Sequence, residues 1–174
     1  ANPDAVNIIA ARVLEDNFPA SLHQDILDAV GMPWVATRSR RQRDPAFRET
    51  IIRIYEHRCA VCGFDGRLGR SDLALEAAHV KWHSAGGPDT EDNGLALCSL
   101  HHKALDLGAI GLDAEHRILV SQHVHGGQMV QDLLLRFSGH ELRAPCSGAA
   151  NVIRAYTDWH FKQVFKDPPR ASTA

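Results

Sequence analysis

Four residues with metal-ligand chemistry occur as two matched pairs, Cys59-Ala-Val-Cys62 and, after 35 intervening residues, Cys98-Ser-Leu-His101. Each pair separates its donors by two residues, the knuckle spacing that lets one turn offer both side chains to a single tetrahedral ion. Three thiolates and an imidazole suit Zn2+, and four protein ligands leave no open position, so the expected role is structural. The alternative for Cys62 and Cys98 is that of small buried apolar residues, as free cysteines often are. Cys146 has no partner in this scheme and reads as a packed free thiol. A second cluster adjoins the first. His101 and His102 are neighbours, and neighbouring side chains on a helix diverge by about 100°, so the two imidazoles should face different sites. If His101 turns toward Cys98, His102 shares a face with Asp106 one turn on, and an imidazole with a carboxylate there makes half a site for a divalent cation. His79 lies on the preceding predicted strand, and Asn93 on the loop between them.

The elements that must position these residues follow from periodicity. Apolar residues at helical spacing predict helices over 4–17 (Val6, Ile9, Ala10, Val13, Leu14) and 21–30 (Leu22, Ile26, Leu27, Val30). Residues 31–43 lack that spacing, hold Pro33 and the run Arg38, Arg40, Arg41 and Arg43, and read as a linker or arm. Asp44 and Pro45 offer an N-cap and an N1 proline for a helix reaching His57, with Phe47, Ile51, Ile54 and Tyr55 inward. Residues 73–82 read as a strand, 84–92 as a turn-rich loop with Gly86, Gly87, Pro88 and Asp89, and 94–98 as a second strand. A helix over 99–107 stops at Gly108, segments 110–112 and 117–120 form a hairpin, and 133–137 and 151–165 read as helical. The class is α+β. The expected organisation is N-terminal helices and basic linker over 1–43, one unit over 44–170 that carries both clusters, and a tail over 171–174.

Composition bounds the function. A chain of 174 residues with 44% hydrophobic and 23% charged residues buries a real core and needs no metal merely to fold. No apolar run approaches the roughly 18 residues of a membrane span. The start, ANPDAVNIIA, lacks an initiator Met, as a fragment of a longer chain would, and does not read as a signal peptide. Four Cys are too sparse for a disulfide scaffold, so the expected location is the reducing cytoplasm, without membrane contact. A net charge of -2 excludes wholesale basicity, yet residues 38–58 hold seven Arg against Asp44, Glu49 and Glu56, which makes that stretch +4 and the remainder -6.

The order His79, Asn93, His102, interleaved with the two knuckles, resembles the HNH nuclease signature on a ββα-metal finger. The words LEAAHVKWH, GGPDTEDNGLALCSLHH and KALDLG carry the likeness, from Cys59 to about Gly108. Beyond them, FPASLHQDILDAVG, RQRDPAFRETIIRIYEHRCAVCGFD and DWHFKQVFKDPPR resemble the C-terminal half of bacterial McrA-like HNH restriction endonucleases, in which an upstream sulfur-binding domain recognises phosphorothioated DNA.

This resemblance implies a zinc-braced ββα-metal finger with flanking helices and a hairpin. It implies a DNA endonuclease of a bacterial restriction system, acting on phosphorothioated or methylated DNA. By the same resemblance His79 is the general base, and Asn93 fixes the loop and orients His79 by side-chain hydrogen bonding. His102 and Asp106 hold a catalytic Mg2+, Mn2+ or similar ion. Many such enzymes place a further ligand just before the base, where this chain has Ala78; water, phosphate, Glu76 or His83 would complete the shell. The implied partners are DNA and an upstream recognition domain, and double-strand cleavage would need a homodimer or successive nicking. Lys81, His83 and the four linker arginines are the DNA-contact candidates. Two other classes stay open, a zinc-stabilised DNA-binding module without chemistry and a dimerisation scaffold built from helices 4–30 and 151–165. The second cluster, which a zinc knuckle does not need, favours chemistry.

Overall fold

The computed structural model describes residues 3–33 and 45–171. Arg38, Arg40, Arg41, Arg43 and the Asp44 cap expected from sequence lie outside the described residues. The chain opens with α1 (Pro3–Asn17), a 3-10 turn (Ala20–Leu22) and α2 (His23–Ala29). Helix α3 (Pro45–Ile54) buries Phe47, Ile51 and Ile54, which recur at one face of a 3.6-residue period, and Tyr55 just after it is buried too. It ends before the expected His57 because Glu56 and His57 take left-handed backbone angles, φ 54° and 57°. The His57 amide then donates to the Ile52 carbonyl at 2.9 Å, closing the helix end, and the His57 ring donates to Asp72 at 3.0 Å. That turn delivers Cys59 to the core.

Helix α3 packs on a two-stranded antiparallel sheet, β3 (Leu75–His79) and β4 (Gly94–Cys98), with His79 opposite Gly94 and Leu75 opposite Cys98. Before it stands a hairpin of two-residue strands, β1 (Arg67–Leu68) and β2 (Ser71–Asp72), which periodicity does not reveal. Opposed residues share a face of a sheet and successive residues alternate. Leu75, Ala77, His79 and their partners therefore face α3, while Glu76 and Ala78 face α4 (Ser99–Asp106). Gly94 is needed for the first contact, since a Cβ there would lie 2.2 Å from the Ile51 side chain. β3 is shorter than the expected 73–82 strand, because residues 80–93 leave the sheet as a loop with 3-10 turns at His83–Ala85 and Glu91–Asn93.

Helix α4 stops at Gly108, where φ is +72° and a Cβ would sit 2.0 Å from the Val164 carbonyl oxygen. The expected hairpin follows as β5 (Ile110–Leu112) and β6 (Ile118–Val120). The expected 133–137 helix is instead the C-terminal end of α5 (Gln128–Leu133) and a separate 3-10 turn (Leu135–Phe137). Helix α6 (Arg154–Gln163) lies against β5, and its buried His160 donates from Nε2 to the Leu105 carbonyl at 2.9 Å. The core runs through Ile51, Ile54, Leu95, Leu97, Leu105, Ile118 and Val120. No described helix is long and apolar enough to cross a membrane.

Candidate active site

The turn after α3, the end of β4 and the first turn of α4 bring Cys59, Cys62, Cys98 and His101 together, with their ligand atoms all within 4.8 Å of one another. The His101 Nδ1 lies 3.6 Å from the Cys59 sulfur and 3.1 Å from the Cys98 sulfur. Donors on a tetrahedral ion at ordinary bond lengths stand roughly 3.6 Å apart, so these residues are placed to hold a metal ion. The ring is turned for that task from behind: Nε2 donates to the Leu133 carbonyl at 2.9 Å, and Phe137 packs edge-on at 5.6 Å. Burial alone would lower the His101 pKa, but hydrogen bonds and charge from Cys59 and Cys62 carry it up to about 9. Hydrogen bonds from Cys62 and Cys98 hold the Cys59 thiol well below the usual range, and the same pairing with Cys59 and Cys62 pushes Cys98 well above it. A cation binds thiolates and neutral imidazole, so its binding here would displace the protons that Cys98 and His101 otherwise keep. Cys146, expected as a packed thiol, is instead exposed, and it is not one of these four.

His102 turns the other way, as adjacent residues on α4 must. Its Nδ1 donates to Glu76 of β3 at 2.5 Å, and its Nε2 stands 3.4 Å from Asp106. The two carboxylates flank opposite edges of the ring. Asp106 is at the buried edge, 2% exposed, and accepts a hydrogen bond from the Ser21 hydroxyl. Glu76 is at the open edge, half-buried, and is held by the Ser99 hydroxyl at 2.7 Å. It faces the same side of β3 as Ala78, so it supplies a carboxylate one pleat before the position where the sequence lacks one. The N-terminal segment also reaches this helix through Lys103, which donates to the Ser21 carbonyl and pairs with Asp25 at 2.5 Å.

His79 ends β3 and is 7% exposed. Phe47 stacks on its ring at 4.2 Å, nearly parallel, and Asp89 accepts its Nε2–H at 2.6 Å. His83 stands on the other side of Asp89, its Nε2 3.9 Å from the second carboxylate oxygen. Asn93 is fully buried, and its side chain ties down the loop. Its amide donates to the Lys81 and Pro88 carbonyls, both at 3.0 Å, and its oxygen accepts the Lys81 amide at 2.8 Å. Loop backbone has no ladder partners of its own, so these three bonds satisfy groups that burial would otherwise leave unpaired. Gly87 permits the strap, since a Cβ there would sit 1.9 Å from the Lys81 oxygen and 2.8 Å from the Asn93 amide nitrogen. The loop that Asn93 ties down is the one that carries Asp89, the partner of His79.

Residues 59–113 match the family described as HNH endonuclease, a span that opens at the first knuckle and closes just beyond β5. That span takes in the cysteine cluster and the surroundings of both His79 and His102. Among solved structures, the fold is similar to a modification-dependent TagI restriction endonuclease, with a TM-score of 0.56 and 22% identity over 81% of this chain. The chain spans 44% of that protein's length. No curated protein matches it.

Proposed function

We propose that the chain is the nuclease part of a McrA-like restriction enzyme, a cytoplasmic, metal-dependent endonuclease that hydrolyses phosphodiesters of phosphorothioated or methylated DNA. The observation that supports it best is the pairing, on one β3–β4–α4 unit, of a braced imidazole at His79 with an imidazole flanked by two carboxylates at His102. His79 takes a proton from water as the water oxygen bonds to phosphorus, and the bond from phosphorus to the 3' oxygen breaks. Glu76, His102 and Asp106 offer oxygen and nitrogen donors that fit a divalent cation such as Mg2+ or Mn2+. The Glu76 edge of His102 is the one nearer solvent, and Asp106 holds the ring from the buried edge. Such a cation, when bound, neutralises the scissile phosphate and stabilises the leaving oxygen. Cys59, Cys62, Cys98 and His101 hold a structural Zn2+, for which three thiolates and one imidazole are a fitting set. Lys81, His83 and the linker arginines Arg38, Arg40, Arg41 and Arg43 contact the DNA backbone. Recognition of the modification resides in a domain beyond this chain, in keeping with the 44% share of the solved neighbour that it spans. Double-strand cleavage proceeds in a homodimer or by successive nicks.

The test is nicking of supercoiled plasmid, modified and unmodified, with and without added Mg2+ or Mn2+, by the parent and by His79→Ala at matched zinc content. The parent should nick only with added ion, and the variant should lose about 10²-fold or more. Equal nicking by both, at equal zinc, would remove His79 from the chemistry and favour a DNA-binding module.

A further inference from the structure

We propose that Asp89 is the positioning residue for His79: by accepting its Nε2 proton, the carboxylate selects the tautomer whose basic nitrogen is Nδ1. The inference rests on the reading of His79 as general base and adds a residue to it. A neutral imidazole carries one proton, and which nitrogen bears it is set by the hydrogen bond the other group demands. A carboxylate accepts only, so at 2.6 Å from Nε2 it fixes the proton there.

The rest of the surroundings agree with a holding role. Phe47 stacks on the ring at 4.2 Å and 16°, which fixes its plane, while rotation within that plane is set by Asp89. The carboxylate is itself fixed in the 80–93 loop, whose neighbouring Pro88 carbonyl is bonded by Asn93. Its second oxygen stands 3.9 Å from the His83 Nε2. Asp89 therefore orients the ring directly, and Asn93 secures the loop from which Asp89 acts.

The readout independent of cleavage is the tautomer. In protein labelled with 15N-histidine, long-range 15N–1H spectra at pH 8 should show His79 as the Nε2–H form, and Asp89→Asn should lose that preference. A parent His79 in the Nδ1–H form overturns the proposal, whatever the nuclease does. In plasmid nicking, Asp89→Asn should lower kcat about 10²-fold with KM little changed, and Asp89→Glu should recover part of the loss. In a His79→Ala background the same Asp89→Asn change should cost nothing further, because its only route to the chemistry is gone. An equal additional loss there would make Asp89 a loop brace and overturn the proposal. Full activity of Asp89→Asn beside an inactive His79→Ala overturns it while leaving the base reading intact. Full activity of His79→Ala overturns both.

Discussion

His160 should make the fold acid-sensitive by an amount that can be worked out beforehand. The side chain is 1% exposed and donates from Nε2 to the Leu105 carbonyl, and burial lowers its pKa from 6.5 to about 4. Between those two values the unfolded chain binds a proton at this position and the folded chain does not. Stability therefore rises with pH across the window: it is complete above about 6.5 and falls as the pH drops toward 4. The separation corresponds to about 3 kcal/mol once both states are protonated, at 1.36 kcal/mol for each pKa unit, and about 2 kcal/mol of it is lost by pH 5. His160→Gln keeps an amide donor at a similar reach and removes the titration. The assay is urea unfolding of metal-loaded parent and variant at pH 7.5 and pH 5.0. Acid acts on the cysteine cluster in both proteins, so the comparison cancels it, and the parent should lose about 2 kcal/mol more than the variant. Equal losses would mean that His160 is hydrated or ionised in the folded state, and the reasoning from its burial would fail.

The loop strap and the metal cluster make separate predictions. Asn93→Ala leaves the Lys81 amide and the Lys81 and Pro88 carbonyls without their partner, so thermal or urea unfolding should show a loss of about 2–4 kcal/mol, and nicking should fall with metal content unchanged. Gly87→Ala should reproduce the nicking loss, since its Cβ meets the Lys81 oxygen at 1.9 Å; parent-level activity would show that the strap does not matter for His79. Cys59→Ser should lower bound metal, measured by elemental analysis, and lower the melting temperature, whereas Cys146→Ser should change neither.

What could be read from sequence was what depends on local spacing. The two knuckles are each confined to four residues, and the cluster they form is the one found. β4 was expected over 94–98 and is found there, because Gly94 and the Cys98 turn mark both ends. α3 was overextended because its end is made by Glu56 and His57, ordinary residues in left-handed conformation that carry no glycine signal. β1 and β2, two residues each, are too short to show an alternation. At the site, Asp89 follows a proline in a glycine-rich stretch and reads as a turn residue, which it also is. Its bond to His79 exists only once the loop has closed. The hydroxyl of Ser21 on Asp106 joins residues 85 apart in the chain, a distance across which no periodicity speaks.

The adjacency of His101 and His102 on α4 has a mechanical consequence. A helix is a nearly rigid rod, so the angle at which it is rolled about its axis is one variable shared by every side chain it bears. The cysteine cluster clamps that roll through His101, and His102 inherits whatever setting results. Any substitution that shifts the Leu133 carbonyl behind His101, at the end of α5, is thereby transmitted to the imidazole on the opposite side of the rod. A metal that takes no part in the reaction would then still tune it, by setting the aim of a neighbour it never touches.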